Sequence, residues 1–185
     1  MEILLIVLAV ILLPIIWGIL IYNRLVKNKN LVEEGWSGID VQLKRRANLI
    51  PNLVETVKGY ATHEQDILEN VTKYRNQSLG ASQPAEQGIA EGLLGAALGR
   101  LFAVVENYPD LKADKNFSNL HRALDELEDE IQMARRYYNG TVRDTNIAIE
   151  AFPSNIIANW FQFKKAEFFE IPDEGDRAVP KVSFD

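Results

Sequence analysis

Apolar and polar positions divide the chain into one uncharged block followed by a series of amphipathic stretches. From Ile3 to Tyr22 the sequence ILLIVLAVILLPIIWGILIY carries no charge. Its length suits the bilayer core of about 30 Å, at about 1.5 Å of helix per residue. The block therefore predicts a transmembrane helix, kinked at Pro14, with Trp17 and Tyr22 near headgroup level at its C-terminal end. A cleaved signal peptide would want a basic start, a shorter apolar core and small residues before the cut. Here Glu2 precedes the run and Tyr22-Asn23-Arg24 is a poor cleavage site. Arg24, Lys27 and Lys29 follow the block, while only Met1 and Glu2 precede it. The positive-inside bias places the body in the cytoplasm, and the same three residues are the expected contacts for lipid headgroups.

Beyond Asn30 the apolar residues recur at helical spacing. Trp36, Ile39, Leu43, Ala47, Ile50, Val54, Val57 and Ala61 step by three or four, which predicts one buried face on a long helix. Pro51 interrupts the ladder of that helix; a kink is expected, with a full turn as the alternative. Thr62-His63-Glu64-Gln65 fits a capping box with Thr62 as N-cap, opening a second helix that carries Ile67, Val71 and Tyr74. Ser78 to Gln87 is small, polar and contains Pro84, so a loop is expected there. A third helix, from about Glu86 to Glu106, ends at the turn sequence Asn107-Tyr108-Pro109-Asp110. Glu91 and Arg100 leave only Gly92 to Gly99 uncharged, too short for a second span. Phe117, Leu120, Leu124, Leu127, Ile131, Ala134 and Tyr138 alternate steps of three and four, a heptad-like seam ending at Phe152-Pro153. The predicted fold is all-α: a transmembrane helix followed by an antiparallel up-and-down four-helix bundle. Residues 1–30 form the anchor and juxtamembrane segment, 31–161 the bundle, and 162–185 a tail that is loose from Pro172. Ile156 to Phe161 adds a short apolar turn of helix.

Composition then removes several chemistries. A net charge of -6 lacks the clustered cations that release counterions from nucleic acid. Cys is absent, and with it disulfides, thiolate metal ligands and nucleophilic thiols. Bundles that bind two metals use Glu-x-x-His, yet Tyr60 and Ser118 stand three residues before His63 and His121, and Ile67 occupies the second His position of H-E-x-x-H. No metal or cofactor is expected. His63 suits the helix start, and His121 a polar face beside Arg122. Ser37, Ser78, Ser118 and Ser154 lie in no G-x-S-x-G elbow, and phosphate-cradling glycine motifs are missing.

Four stretches together resemble the LemA family: GWSGIDVQLKRRANLIPNLVETVKGYATHE from Gly35 to Glu64, ENYPDLKADKNF from Glu106 to Phe117, ARRYYN from Ala134 to Asn139, and FPSN from Phe152 to Asn155. The likeness begins at YNRLV, Tyr22 to Val26, and runs to Phe169. It implies a bacterial-type membrane protein with an N-terminal span and a four-helix bundle, and no established activity. Gly140 stands where an acidic residue is common in that family, and Thr145 where an aromatic one is. Some relatives are lipoproteins whose body faces outward, opposite to the placement expected here.

Three groups of residues remain as candidates. Gly88, Gly92, Gly95 and Gly99 fall within a sector of about 60° on the third helix, at about 100° per residue. Each costs about 0.5 to 1 kcal/mol relative to Ala, so a close helix contact is expected to offset them. That contact is either within the bundle or between copies of the chain. Asn48, Asn52, Tyr137, Tyr138, Asn139, Arg143 and Asn146 are the residues that could line a polar pocket, or fix helix register instead. Lys44-Arg45-Arg46 lies about 33 Å beyond Tyr22 along a continuous helix, outside a Debye length of about 8 Å, and is expected to pair with the acids of Glu126 to Glu130 or stay solvated. The leading expectation is a membrane-anchored, non-catalytic interaction module or scaffold that associates with itself, with other membrane proteins as further candidate partners. A small-ligand sensor or enzyme with a polar pocket is the alternative.

Overall fold

The computed structural model describes residues 1–61 and 63–171, the Leu5 side chain excepted. The cap expected at Thr62 and the loose tail expected from Pro172 lie outside the described residues. Among the described residues six helices follow in order: α1 (Glu2–Lys58), α2 (Gln65–Gly80), α3 (Pro84–Val105), α4 (Pro109–Lys112), α5 (Lys115–Glu150) and α6 (Ser154–Trp160). No strand occurs among the described residues. The chain divides into two compact units, one of Met1–Ile39 with Met133–Phe168, the other of Asp40–Gln132 with the chain from Phe169 on.

In the second unit, α1, α2, α3, α4 and α5 all contribute to one core. Ile50, Leu53 and Val57 of α1 meet Leu68 and Val71 of α2, Leu94, Leu98 and Leu101 of α3, and Phe117 and Leu124 of α5. The expected α1 stripe is buried at Ile39, Leu43, Ala47, Ile50, Val57 and Ala61, with Leu53 fully buried and Val54 only partly. The α5 seam is buried at Phe117, Leu124, Leu127, Ile131 and Tyr138.

α1 continues through Pro51 without a break. Proline has no N–H to donate to the carbonyl of Ala47, four residues earlier. Arg75 Nε of α2 donates to that carbonyl at 2.6 Å, so the buried acceptor is satisfied from outside its own helix.

The loop expected over Ser78 to Gln87 is reduced to Ala81–Gln83, because Pro84 opens α3 at N1. There its missing N–H costs nothing and its fixed φ suits the first turn. α2 begins at Gln65 with Glu64 as N-cap and no side-chain cap bond, two residues later than expected. Pro109 likewise converts the expected turn into the single helical turn α4, whose Leu111 is fully buried. Asp114 caps α5: its Oδ1 accepts the N–H groups of Asn116 at 2.8 Å and Phe117 at 2.9 Å.

In the first unit, the side chains of Ile3 to Leu20 are exposed apart from Leu5, which is not described, and Gly18, which is partly covered. Leu25 packs with Ile149 of α5 and Ala158 of α6, flanked by Ile21, Ile157 and Phe163. Gly35 lets α5 approach closely, since a Cβ there would lie 3.2 Å from the Tyr138 Cα. The Phe152-Pro153 peptide is cis. After α6 the chain has no regular secondary structure from Phe163 to Ile171.

Candidate functional site

The residues expected to form a polar pocket are divided between the two units. Asn48 and Asn52 are exposed in the second unit, and Tyr137 and Arg143 are exposed in the first, where Arg143 pairs with Asp144 at 3.1 Å. Asn139 is half-buried. Tyr138 and Asn146 do act together, on the extended C-terminal segment. The Tyr138 hydroxyl donates to the Glu167 carbonyl at 2.7 Å. Asn146 Nδ2 donates to the Ala166 carbonyl at 3.0 Å while its Oδ1 accepts the Ala166 N–H at 2.9 Å, so one side-chain amide replaces a strand partner. Burial raises the Tyr138 hydroxyl above its ordinary pKa, which keeps it the donor.

A polar centre that the sequence did not single out lies in the core of the second unit. Arg46, Ser78, Gln87 and Glu91 are all buried, Glu91 to 3 % exposure and Arg46 to 9 %. Arg46 Nη1 reaches Glu91 Oε2 at 3.3 Å and Glu128 Oε2 at 3.0 Å. Glu91 Oε1 accepts the Ser78 hydroxyl and, at 3.1 Å, Gln87 Nε2. Each carboxylate oxygen of Glu91 thus has a donor, the condition under which a charge can be buried without a large penalty. The available signal was position: Arg46 lies three residues after Leu43 and four before Ile50, on the buried face, and Glu91 is the lone acid in the apolar stretch of α3. Of the basic triplet, Arg45 also pairs with Glu130 at 2.7 Å, whereas Lys44 pairs with Asp40 on its own helix at 2.6 Å.

The glycines of α3 have different surroundings. A Cβ on Gly88 would fall 1.9 Å from the carbonyl oxygen of Glu170, so the chain beside fully buried Phe169 passes directly over it. Gly88 belongs to an internal contact. At Gly95 the nearest atom is Arg46 Nη2 at 3.9 Å, and at Gly99 nothing lies within 4 Å. Gly92 is half-buried. On the neighbouring face of α3, Ile89 and Leu93 are exposed.

Arg24, Lys27 and Lys29 are exposed on the turns of α1 that follow the apolar block, and Lys29 makes a 3.7 Å ion pair with exposed Glu33. His121 is half-buried and meets the Phe102 ring edge-on at 4.4 Å, rather than lying on an open polar face. His63 is exposed outside α2. A groove of about 740 Å³ between the end of α1 and α2 is lined by Val54, Lys58, Leu68, Thr72 and Lys73, and none of the candidate residues borders it. Near the cap of α5, the Phe117 N–H holds the Asp114 carboxyl below its ordinary range, and the Tyr60 hydroxyl adds to this from 3.1 Å. The same bond raises the Tyr60 hydroxyl, and a bond to Glu64 raises that of Tyr108.

A family model described as the LemA family matches residues 35–184. The magnetosome protein MamQ 2 of Paramagnetospirillum magneticum is 30% identical over 184 residues, covering 85% of this chain and 68% of that protein. MamQ of Magnetospirillum gryphiswaldense is 27% identical over the same length. Protein LemA of Metamycoplasma hominis is 27% identical over 152 residues, covering 80% of this chain and 68% of its own.

Proposed function

This chain belongs to the LemA family, and on that premise we propose that it is a single-pass, membrane-anchored helical module that works by contact and not by catalysis. The contact is with copies of itself, through the outer face of α3, and the body lies in the cytoplasm. One observation carries the reading. Gly95 and Gly99 share one face of α3, where their missing side chains leave the helix backbone open to close approach, and Ile89 and Leu93 are exposed on a separate face of the same helix. The buried polar groups of the core are engaged with each other, which favours a structural role for them. Membrane tethering raises local concentration and supports association through a small surface.

Gly99→Leu tests the proposal, because a Cβ at this position meets nothing within 4 Å in the monomer. Light scattering on detergent-extracted wild type should give an oligomer that dissociates on dilution. The variant should be smaller with unchanged helicity. A wild type that stays monomeric at every concentration sinks the self-association reading. Protease added outside intact spheroplasts should spare the body; digestion of the body would reverse the proposed orientation.

A further inference from the structure

The corner where α5 turns into α6 carries aromatic side chains in an unusual place. Phe152, Ile156 and Trp160 are spaced by four and all exposed, Phe152 to 81 % and Trp160 to 80 %, with Phe161 beside them. Isolated exposed apolar residues are ordinary, but a contiguous patch of this kind marks a surface meant to be covered. The opposite side of α6 fixes where the patch lies. Ala158 is fully buried against Leu25, and the Ile157 Cδ1 would be 3.6 Å from a Cβ on Gly18. The Phe161 ring lies 4.6 Å from that of Tyr22, centroid to centroid. Gly18 is four residues inside the end of the uncharged block, about 6 Å along the helix axis. A segment packed on Gly18 and Tyr22 shares their depth.

We propose that α6 and the corner before it form a second membrane contact, lying in the interfacial layer of the leaflet where α1 emerges. This rests on the reading of Ile3 to Tyr22 as a span. The backbone suits that environment, since the N–H groups at both ends of α6 are used internally: Asn155 bonds Ala151, Ile156 bonds Pro153, Phe161 bonds Ile157 and Phe163 bonds Ala158. The Ser154 hydroxyl is likewise turned onto the Ala148 and Ala151 carbonyls. Exposed Arg24, Lys27 and Lys164 follow the aromatic residues in sequence, an arrangement that suits rings at the acyl boundary with cations among the phosphates. The bilayer is the occupant, because exposed Phe161 meets Tyr22 at the end of the block and Ile157 lies against Gly18 within it.

Single-tryptophan forms of the full chain test this in phosphatidylcholine vesicles, with lipids brominated near the headgroup end of the acyl chains as quencher from the membrane and acrylamide as quencher from water. Trp17→Phe with Trp36→Phe leaves Trp160 as reporter of the corner, and Trp36→Phe with Trp160→Phe leaves Trp17 as reporter of the span. Trp160 should lose about half its emission to the brominated lipid and little to acrylamide, as an interfacial ring would. Quenching by acrylamide alone would put the corner in water, and quenching by neither would mean that protein covers it; each overturns the proposal while Trp17 remains lipid-quenched. A Trp17 that brominated lipid does not reach would instead overturn the span, and the corner contact with it.

Discussion

Removing the guanidinium of Arg75 should cost more than an ordinary hydrogen bond, and the excess should depend on Pro51. The Ala47 carbonyl is buried, its residue being 1 % exposed, and Arg75 Nε is its donor at 2.6 Å. Arg75→Met keeps most of the aliphatic stem but leaves that acceptor unpaired, a loss of about 1 to 3 kcal/mol. Arg75 is half-buried and charged, which places the expected value near 2 kcal/mol. In a Pro51→Ala background, residue 51 regains an N–H aimed at Ala47 four residues back. Arg75→Met should then cost less than about 0.5 kcal/mol, giving a coupling of about 1.5 kcal/mol between residues on different helices. Urea unfolding in detergent, followed by far-UV circular dichroism, measures all four proteins, and equal slopes are needed for the comparison. If Arg75→Met costs the same in both backgrounds, the bond is not a replacement for the proline's missing donor.

Arg46→Met should destabilise by about 3 to 5 kcal/mol because Glu91 stays buried without its cation, and adding Glu91→Leu should recover most of that; additive losses would show that the two do not act as a pair. Leu127→Ala should cost about 2 to 5 kcal/mol, given its burial, and a loss under about 0.5 kcal/mol would place that seam at the surface. Asp114 has a lowered folded-state pKa, so its contribution is present above the ordinary carboxylate range and lost as pH falls through the folded value. The stability gap between wild type and Asp114→Asn should therefore be open at pH 7 and narrow below about pH 4; a gap constant over that range removes the charge from the cap.

Periodicity made the helices legible because burial on one face repeats every three or four residues, as it does along Phe117, Leu124, Leu127 and Ile131. Helix starts were less so. Pro84 and Pro109 signal a break and a beginning alike, and only the packing of Ala90 or Leu111 decides between them. The polar set divides between exposed and buried positions for a related reason. Tyr137 and Tyr138 are neighbours in sequence but about 100° apart on the helix, so one is exposed while the other holds the Glu167 carbonyl. An extended segment pinned by side chains, as at Asn146 and Ala166, has no repeat to detect and was expected to be tail.

Glu91 also bears on how the chain reaches its topology. α3 is long and apolar enough to cross a membrane by length and composition, yet 44% of its most apolar window is buried. An insertion machinery meets that helix before the bundle has packed, when it can judge only the sequence in front of it. A charged residue raises the insertion cost of a would-be span, by about 2.5 to 3.5 kcal/mol at its centre and by less toward its ends, where Glu91 lies in α3. The carboxylate that receives Arg46, Ser78 and Gln87 in the fold thus also weighs against insertion of α3 as a span. An apolar replacement at Glu91 that satisfied the core would therefore also lower the cost of inserting α3 into a bilayer.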